Sequence, residues 1–408
     1  MTKTPNESNN SRHAGGAEPD YAAKLVMAAQ AMERVMGSGS AKGGFAGTGS
    51  GDNRERRTAA AGVGPRPSDN AATVAAGTQA ATIPIRSGSR PLLKRVAPHI
   101  FRIDLPVPEV LDVTNSYVIL GGKHNLIVDA GCNLPQTEDA FNEALSRLDI
   151  SWKSIDVFLT HSDYDHCAGL TRIGRQGMIV YSGMEDYSER AVPIMGGEAF
   201  AEAAERVSGE HGVPHEFDRD YWAPMRDRGS NDIRISTLED GDTLKVGEYR
   251  FECIAAPGHD AYCICLYEPT AKILIAGDVL LGNAYPSVTL GSDEDELGLY
   301  LASLDRIRNL PCNLVLCGHG PEFTDLAGRV DATKAHYQRQ LDNVRSVLAQ
   351  GITDPAEIAY ATTKLPRRKD WAERTVFGRN ALIGQTMGYL RHLAALGEYD
   401  HPELIVHR

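Results

Sequence analysis

The sequence predicts an α/β domain that lies between a low-complexity N-terminal arm and a helical C-terminal extension. Short apolar segments with strand character recur from residue 99 to residue 317, and an amphipathic helix is predicted between two of them, at 138–148. Several of these strands stop at a small residue that is followed at once by His or Asp. The two patterns together indicate a sheet-based domain whose strand ends carry polar side chains.

The N-terminal arm, residues 1–92, has a composition unlike that of the rest of the chain. It is rich in Gly, Ala, Ser, Thr and Pro, as in the segment GSGSAKGGFAGTGSG at 37–51. Such a segment buries too little apolar surface to offset its ordering entropy, so we expect the arm to be mostly disordered. A short helix with one apolar face is predicted near 21–36. We favour a fraying helix over a docking helix there.

The α/β domain is predicted to span 93–324 and the helical extension 325–408. In the extension, helices are expected at 330–349, 352–361 and 379–396, with a short terminal strand at 404–406. The domain contains eight predicted strands, at 99–103, 115–120, 126–129, 155–159, 249–255, 263–267, 273–276 and 314–317.

Charge and cysteine usage narrow the function class. Lys and Arg number 42 against 54 Asp and Glu, which gives a formal net charge of -12. This balance argues against a general nucleic-acid or anionic-membrane binder, because such proteins need a basic surface. The seven cysteines form no CxxC pair, and neither a secretory signal nor a membrane span is evident. We therefore expect a cytoplasmic protein with reduced thiols.

The strongest functional signal is the segment 160–166, Thr-His-Ser-Asp-Tyr-Asp-His, which directly follows a predicted strand. Four side chains of the types that ligate metals fall within it, and three more follow later strands. A strand-end loop can turn such groups toward one point, and imidazole and carboxylate groups suit divalent metals. We predict a site for two metal ions with seven ligands, His161, Asp163, Asp165, His166, His259, Asp278 and His319.

The order of these motifs resembles that of the metallo-β-lactamase fold superfamily. Its members share an HxHxDH loop, a PGH turn, a GD turn and a late GH turn. This chain has HSDYDH at 161–166, PGH at 257–259, GD at 277–278 and GH at 318–319, after LIVDAG at 126–131. The resemblance covers about 96–323 and implies a four-layer αββα sandwich. The extension resembles the winged-helix-like tail of one metallo-hydrolase branch, in which the tail more often covers the active-site mouth than binds nucleic acid.

The resemblance also implies chemistry. A hydroxide held between two divalent ions would be nucleophilic at neutral pH and would be oriented by Asp165, the predicted catalytic residue. Asp129 would buttress the site. The first ion would be held by His161, Asp163 and His259, and the second by Asp165, His166 and His319, with Asp278 bridging the two.

One departure from the family pattern affects the choice of metal. Asp163 stands where the loop usually has its second His. With three carboxylates, two divalent ions and one hydroxide, the site has no net charge, whereas a His there would leave one positive charge. Oxygen ligands suit harder metals, so we expect zinc and keep iron or manganese open because of Asp163. The redox diiron branch also has a carboxylate at this position.

We therefore expect a metal-dependent hydrolase that cleaves a thioester, an ester or a lactone of a small molecule. The thioester expectation rests on the family resemblance and on the absence of a nucleic-acid surface. A diiron oxidoreductase or oxygenase and a phosphodiester (RNA) hydrolase remain as alternatives. The expected partner is a small-molecule substrate, with a homodimer as an option; we expect neither a membrane nor nucleic acid as a partner.

Residues next to the ligands are assigned structural roles. Cys167 and Cys317 are interpreted as small core residues rather than thiolates. Tyr262 is expected to be packed and Asp260 to be solvated.

Two further segments carry histidines or basic residues outside the ligand loop. The insertion 191–232 is expected to form a lid or a substrate-facing wall, and we do not assign its His211 and His215 as ligands. The basic run 366–369 could meet a phosphate or a CoA-like anion, but we favour a solvated loop.

Overall fold

The computed structural model describes residues 82–84, 92–107, 113–184, 197–216, 234–291 and 294–400 of the 408-residue chain. Of the predicted arm, only 82–84 and residue 92 fall within these ranges, and both are in strands. The predicted helix near 21–36 and the predicted strand at 404–406 lie outside the described residues.

The first sheet has eight strands side by side in chain order. They are β1 (Thr82–Pro84), β2 (Leu92–Ala97), β3 (Ile100–Pro106), β4 (Val113–Ile119), β5 (Asn125–Val128), β6 (Ile155–Leu159), β7 (Ile179–Ser182) and β8 (Arg234–Thr237). Neighbours from β1 to β5 pair antiparallel, and neighbours from β5 to β8 pair parallel.

The second sheet has five strands, β9 (Thr243–Val246), β10 (Tyr249–Ala255), β11 (Ile264–Glu268), β12 (Ile273–Gly277) and β13 (Leu314–Cys317). Its spatial order is β13-β12-β11-β10-β9. Pairing is antiparallel from β9 to β12 and parallel between β12 and β13, so β10, β12 and β13 all run in one direction. Their carboxyl ends therefore meet at one edge, where the metal-ligating residue types follow.

The described residues contain eight α-helices. They are α1 (Pro135–Arg147), α2 (Tyr164–Cys167), α3 (Leu170–Ile173), α4 (Gly197–Glu210), α5 (Glu296–Ile307), α6 (Leu326–Leu348), α7 (Pro355–Thr363) and α8 (Val376–Ala395). Side chains of Asp325 and Asp354 accept backbone N–H groups at the starts of α6 and α7, which satisfies donors that a helix leaves free. None of these helices combines the length and the apolar composition that a membrane crossing requires.

Three apolar layers hold the sheets and helices together. The facing sides of the two sheets pack through buried residues such as Phe158 and Phe251. The outer face of the first sheet packs against α1, where Phe141 is fully buried. The outer face of the second sheet packs against α5, α6 and α8, with Tyr300 and Tyr337 inside. The order helix, sheet, sheet, helix confirms the predicted αββα sandwich.

A fourth apolar cluster joins the insertion to the C-terminal extension. Phe200 of α4 packs with Ile383 of α8 and with the fully buried Trp371. The indole Nε1 of Trp371 donates a hydrogen bond to Ser208 Oγ at 2.9 Å. Helix α4 is thus fixed to the extension, and the described part of the insertion, 197–216, is anchored there.

The extension is helical, as predicted. Its described residues, 325–400, form α6, α7 and α8 and contain no strand, so the wing of a winged helix has no counterpart among them.

Candidate metal centre

The segment that runs from the end of β6 through α2 places four of the seven predicted ligands. His161 follows Thr160 directly after the strand, and Asp163 is the N-cap residue of α2. Asp165 and His166 lie on α2 itself. The loop is fixed to the second sheet because the N–H of Ile264 donates to Thr160 O at 2.9 Å.

The other three ligand types follow strands of the second sheet. His259 comes after β10, Asp278 after β12 and His319 after β13. Gly318 is required beside them, because a Cβ at that position would lie 2.1 Å from Asp278 Oδ1 and 2.6 Å from His166 Cε1. Close approach of the β13 backbone to the cluster therefore excludes a side chain there.

His161, Asp163 and His259 form the first of two groups. Asp163 Oδ2 lies 3.6 Å from His161 Nε2 and 3.3 Å from His259 Nε2. The side chain of Asp163 is 31% exposed, whereas those of the two histidines are 0% and 7% exposed. Asp163 therefore marks the side of the cluster that opens to solvent.

Asp165, His166 and His319 form the second group. Asp165 Oδ2 lies 3.1 Å from His319 Nε2 and 3.7 Å from His166 Nε2. The two imidazole Nε2 atoms are 3.3 Å apart. All three side chains are buried. Their ligand atoms lie within 4.8 Å of one another, so one ion could contact all three.

Asp278 lies between the two groups. Its Oδ2 is 4.0 Å from His259 Nε2 and 3.4 Å from His319 Nε2, and its Oδ1 is 3.5 Å from His166 Nε2. One carboxylate therefore faces imidazoles from both groups. This is the placement expected of a bridging ligand.

Each imidazole has its Nδ1 engaged away from the cluster. His259 Nδ1 contacts Ser287 O at 2.6 Å, and His319 Nδ1 contacts Val113 O at 2.8 Å. Carbonyl oxygens only accept, so these Nδ1 atoms carry a proton, and Nε2 is the nitrogen left to bind a metal once its own proton is lost. That is the tautomer that a metal ligand needs.

Asp129 fixes the other two histidines. Its Oδ2 accepts from His166 Nδ1 at 2.8 Å and from Thr160 Oγ1 at 2.9 Å. Because the Thr160 hydroxyl donates to Asp129, it can accept from His161 Nδ1, which lies 2.8 Å away. Asp129 has a left-handed backbone, with φ of 64°, a conformation that few residues other than Gly, Asn and Asp adopt readily.

The charge balance of the cluster favours a cation. Burial disfavours the imidazolium forms, but Asp163 and Asp278 outweigh it and raise the pKa of His259 to about 10. Against the same opposing effect of burial, Asp278, Asp165 and Asp129 raise the pKa of His166 to about 9. The histidines in turn hold the pKa of Asp278 far below its usual range, although burial acts in the opposite direction. Without a metal, protons supply the positive charge that the carboxylates attract.

Unpartnered buried atoms provide an independent test of whether metals fit. His161 Nε2, His259 Nε2 and Asp278 Oδ1 are buried and have no hydrogen-bond partner in the described structure. Such atoms are rare in folded proteins because each one costs free energy. The two nitrogens belong to the first group, and Asp278 lies with His161 and His166 between the groups; all three atoms are nitrogen or oxygen donors, which suits divalent cations.

The two cysteines beside the ligands take no part in the cluster. Cys317 Sγ lies 3.0 Å from His319 O, and Cys167 Sγ lies 3.1 Å from Ser162 O. Burial, followed by nearby Asp278, raises the pKa of the Cys317 thiol to about 11. That thiol is therefore neutral at physiological pH, which agrees with a core role.

The predicted non-ligand histidines lie elsewhere. His211 stacks on Tyr360 with 3.6 Å between ring centroids. His215 is buried, with its Nδ1 3.3 Å from Arg379 Nη1. Asp260 accepts from Ser162 Oγ and from the N–H of Tyr262, so it fixes the start of the loop.

Sequence reasoning missed several supporting residues. Thr114 Oγ1 donates to Asp165 Oδ2 at 3.0 Å. Thr160 Oγ1 lies between His161 and Asp129 and contacts both. Ser287 contributes only its backbone carbonyl to His259. These residue types are common in any chain, and their partners are far away in sequence, so no local motif marks them.

Two curated proteins are similar in sequence to more than half of this chain. The chain is 22% identical over 260 residues to an atrochrysone carboxyl ACP thioesterase of Cryptosporiopsis sp. (strain 8999), covering 63% of this chain and 65% of the relative. It is 27% identical over 243 residues to the lactamase-like protein adaB of Aspergillus niger, covering 59% of each. The chain thus spans less than two thirds of the length of these curated relatives.

Solved structures and a family model give the fold relationship. A crystal structure of a metallo-beta-lactamase family protein from Thermus thermophilus superposes with a TM-score of 0.60 at 25% identity, covering 74% of this chain and 95% of that one. The model of the metallo-beta-lactamase superfamily matches residues 110–319, just over half of the chain, and this span includes all seven residues of the cluster. The chain belongs to the metallo-beta-lactamase superfamily.

Proposed function

We propose that this protein is a metal-dependent hydrolase that cleaves a thioester of a small molecule at a site for two divalent ions. Esters and lactones are the neighbouring substrate classes. The observation that carries the proposal is the pair of His/Asp groups joined by Asp278, with three buried ligand atoms that make no hydrogen bond in the described structure. A cluster that combines four imidazoles and three carboxylates has few other physical explanations.

In this proposal the seven side chains divide as the two groups do. When bound, the ions would lower the pKa of water and polarise the substrate carbonyl. Asp165, the proposed catalytic residue, would orient the attacking water, and Thr114 Oγ1 would fix the rotation of its carboxylate. The first ion would be held by His161, Asp163 and His259, and the second by Asp165, His166 and His319, with Asp278 between them.

The chemistry of a thioester suits this cluster. Water adds its oxygen to the acyl carbon, the carbon–sulfur bond breaks, and the products are a carboxylic acid and a thiol. A thiol has a pKa of roughly 8.5, so it can leave as the thiolate without a dedicated proton donor. The name of the Cryptosporiopsis relative, an ACP thioesterase, supports the same reaction class.

The test compares substrate classes on purified protein loaded with zinc, manganese or iron. The panel contains a thioester, an ester, a lactone, a phosphodiester and a β-lactam. We expect the thioester to give the highest kcat/KM, and Asp278→Asn to lower it by at least about a thousandfold while the fold is retained, because loss of the bridge separates the ions. Asp156→Asn, on β6 but at its far end, is the control. Full activity in Asp278→Asn would contradict the proposal.

Asp163 favours one second candidate, a diiron oxidoreductase. We propose zinc as the resident metal. Iron and manganese are the alternatives, because the carboxylate of Asp163 is an oxygen ligand and oxygen ligands suit harder metals. Metal analysis by mass spectrometry, on protein purified without a metal-chelating column, separates these cases. Two equivalents of iron, oxygen consumption with a reductant and no hydrolysis would replace the hydrolase proposal.

We place the protein in the cytoplasm. All seven cysteines are free, and six of them are buried. Burial raises the pKa of Cys263 and Cys265, so these thiols resist oxidation. Thiols of this kind are typical of a reducing compartment. Fractionation of the native organism's cells with an antibody against the chain tests this placement.

A further inference from the structure

A cleft of about 360 Å³ lies between the loop that follows α7 and the helices α6 and α8. Four of the side chains that line it are cationic. No Asp or Glu lines it among the residues that the structure describes. This concentration of positive charge stands out in a chain whose net charge is -12. The four cations are Arg367, Arg368, Lys369 and Arg374.

Within the part of the chain that the structure describes, carboxylates offset the charges in the cleft only through the electrostatic interaction of Asp370 with Arg374. None of the four side chains has an ion pair with a carboxylate in the described ranges, and the nearby Asp370 accepts from Lys364 Nζ at 2.8 Å instead. Arg368 donates to the neutral side chain of Gln340. The Nε atoms of Arg368 and Arg374 are buried without a hydrogen-bond partner. By contrast, the surface residue Arg308 is paired with Asp331 at 2.6 Å.

The electrostatic effect of these cations extends to His336, which also lines the cleft. Burial, followed by the charges of Arg339, Arg368 and Arg329, lowers the pKa of His336 to about 4. Burial and the charge of Arg368 also lower the pKa of Arg374. The cleft therefore has a positive potential that an anion would relieve.

The cleft adjoins the proposed metal site. Pro286 lines the cleft, and the next residue, Ser287, accepts a hydrogen bond from His259 Nδ1 through its carbonyl at 2.6 Å. Gln385, also in the cleft wall, donates to Ser287 Oγ at 2.8 Å. One residue thus separates the wall of the cleft from a proposed metal ligand. A ligand that reaches both the cleft and the cluster would have to pass this segment.

We propose that this cleft binds the phosphate groups of a phosphorylated thiol, which is the leaving group of the thioester. The inference rests on the proposed hydrolase function and names its substrate class. Guanidinium groups match phosphate oxygens in charge and in bidentate geometry, and Lys369 adds a point charge at the rim. Hydrolysis of the carbon–sulfur bond by water then releases the acid and the phosphorylated thiol, and the thiol leaves from the same cleft.

Binding without turnover is the first test. Adenosine 3′,5′-bisphosphate, CoA and inorganic phosphate are titrated by calorimetry into the metal-loaded full chain and into the double variant Arg368→Gln/Arg374→Gln. We expect CoA to bind the unmodified protein at least about tenfold more tightly than the double variant, with an affinity that falls as salt rises. Arg308→Gln, which removes a paired surface arginine, is the matched control and should bind CoA normally.

Turnover is the second test. An acyl-CoA, the same acyl group on phosphopantetheine and the same acyl group on N-acetylcysteamine, which has no phosphate, are compared by kcat/KM. We expect the phosphorylated thioesters to exceed the phosphate-free one by at least about tenfold, and the ratio to collapse in the double variant but not in Arg308→Gln. Equal values for CoA and phosphopantetheine would assign the contact to the phosphate that both share.

The two proposals fail in different ways. Equal hydrolysis of all three thioesters overturns the phosphate inference and leaves the hydrolase proposal standing. A second outcome is that CoA binds in a way that depends on Arg368 and Arg374 while no thioester is hydrolysed. That result supports the cleft as a phosphate site and overturns the proposal of thioester hydrolysis. An RNA oligonucleotide is tested as a competitor of CoA. If it displaces CoA at a concentration below the Kd of CoA, the assignment of a phosphorylated thiol to the cleft is overturned.

Discussion

Asp129 Oδ2 accepts the Nδ1 proton of His166 at 2.8 Å, across 37 residues of sequence. This contact orients the imidazole ring so that Nε2 faces Asp165, His319 and Asp278. The same carboxylate accepts a hydrogen bond from Thr160 Oγ1, and that hydroxyl contacts His161 Nδ1, so Asp129 also helps to orient His161. One residue outside the proposed ligand set therefore orients a histidine in each group.

Asp129→Asn tests this orienting role. Asn tolerates the left-handed backbone of this position, so the change removes charge and an acceptor with little backbone strain. We expect metal affinity to fall by about 10- to 100-fold, measured by competition with a chromogenic chelator. Asp156→Asn is the control. Unchanged affinity in Asp129→Asn would show that Asp129 does not orient the histidines.

Asp163→His tests the effect of the third carboxylate on the metal. The side chain is partly exposed, so an imidazole can be accommodated at the open side of the cluster. We expect the variant to take up a larger share of zinc than the unmodified protein from an equimolar zinc, manganese and iron mixture. Asp163→Asn removes the charge without supplying an imidazole and separates the two effects. The same ratio of bound metals in the unmodified protein and in both variants would show that the Asp163 carboxylate does not affect the choice of metal.

Gly318→Ala tests the close approach of β13 to the cluster. The added Cβ would overlap Asp278 Oδ1 and His166 Cε1, so one of them must move. We expect less than one bound metal equivalent and a loss of hydrolysis of at least about a hundredfold, since small misplacements of a site are costly. Gly209→Ala, where no atom lies within 4 Å of the new Cβ, should keep both. Full metal content in Gly318→Ala would contradict this geometry.

Trp371→Ala tests the cluster that joins α4 to the extension. The side chain is fully buried, so its removal should lower the free energy of unfolding by about 3–5 kcal/mol in urea denaturation. Trp371→Phe retains most of the packing but loses the hydrogen bond to Ser208, which should cost about 1 kcal/mol. Losses well below about 1 kcal/mol for both variants would mean that α4 is not held by this contact.

His336 predicts a pH dependence of stability. Its pKa is about 4 in the folded state and about 6.5 in an unfolded chain, so the unfolded state binds more protons between these values. The stability that neutral His336 contributes is therefore fully present above about pH 6.5 and is lost as pH falls toward about 4. His336→Gln should have a shallower fall in Tm over this window, in a buffer free of phosphate. Parallel Tm profiles would contradict the assignment.

The sequence predicts eight of the thirteen described strands and does not predict β1, β2, β7, β8 and β9, although β7 has the apolar sequence IVYS. The bounds of β6, β10 and β13 coincide with the predicted ones. Strand β8 was not predicted, because Arg234–Thr237 is short and half-exposed and has a single large apolar residue. Its strand conformation depends on pairing with β7, which is a tertiary effect that local pattern does not report.

The proposed ligands were accessible to sequence reasoning because strand ends bring chemically distinctive residues together. For the basic run 366–369, the pattern alone favours a solvated loop and leaves a phosphate or a CoA-like anion as the alternative. The structure places Arg368 beside Arg374 at a cleft whose wall also includes residues 285–286, about eighty positions earlier in the chain. Only the packing of α6 and α8 brings these segments together, so no spacing rule could have indicated the cleft.

Helix α4 and the extension share one apolar cluster, and this has a consequence for inheritance. Phe200 and Ile383 would each face water if the other segment were lost. A descendant gene that deletes either the insertion or the extension must therefore also replace apolar residues by polar ones on the segment that it keeps. Among related chains, the two segments should be gained and lost together.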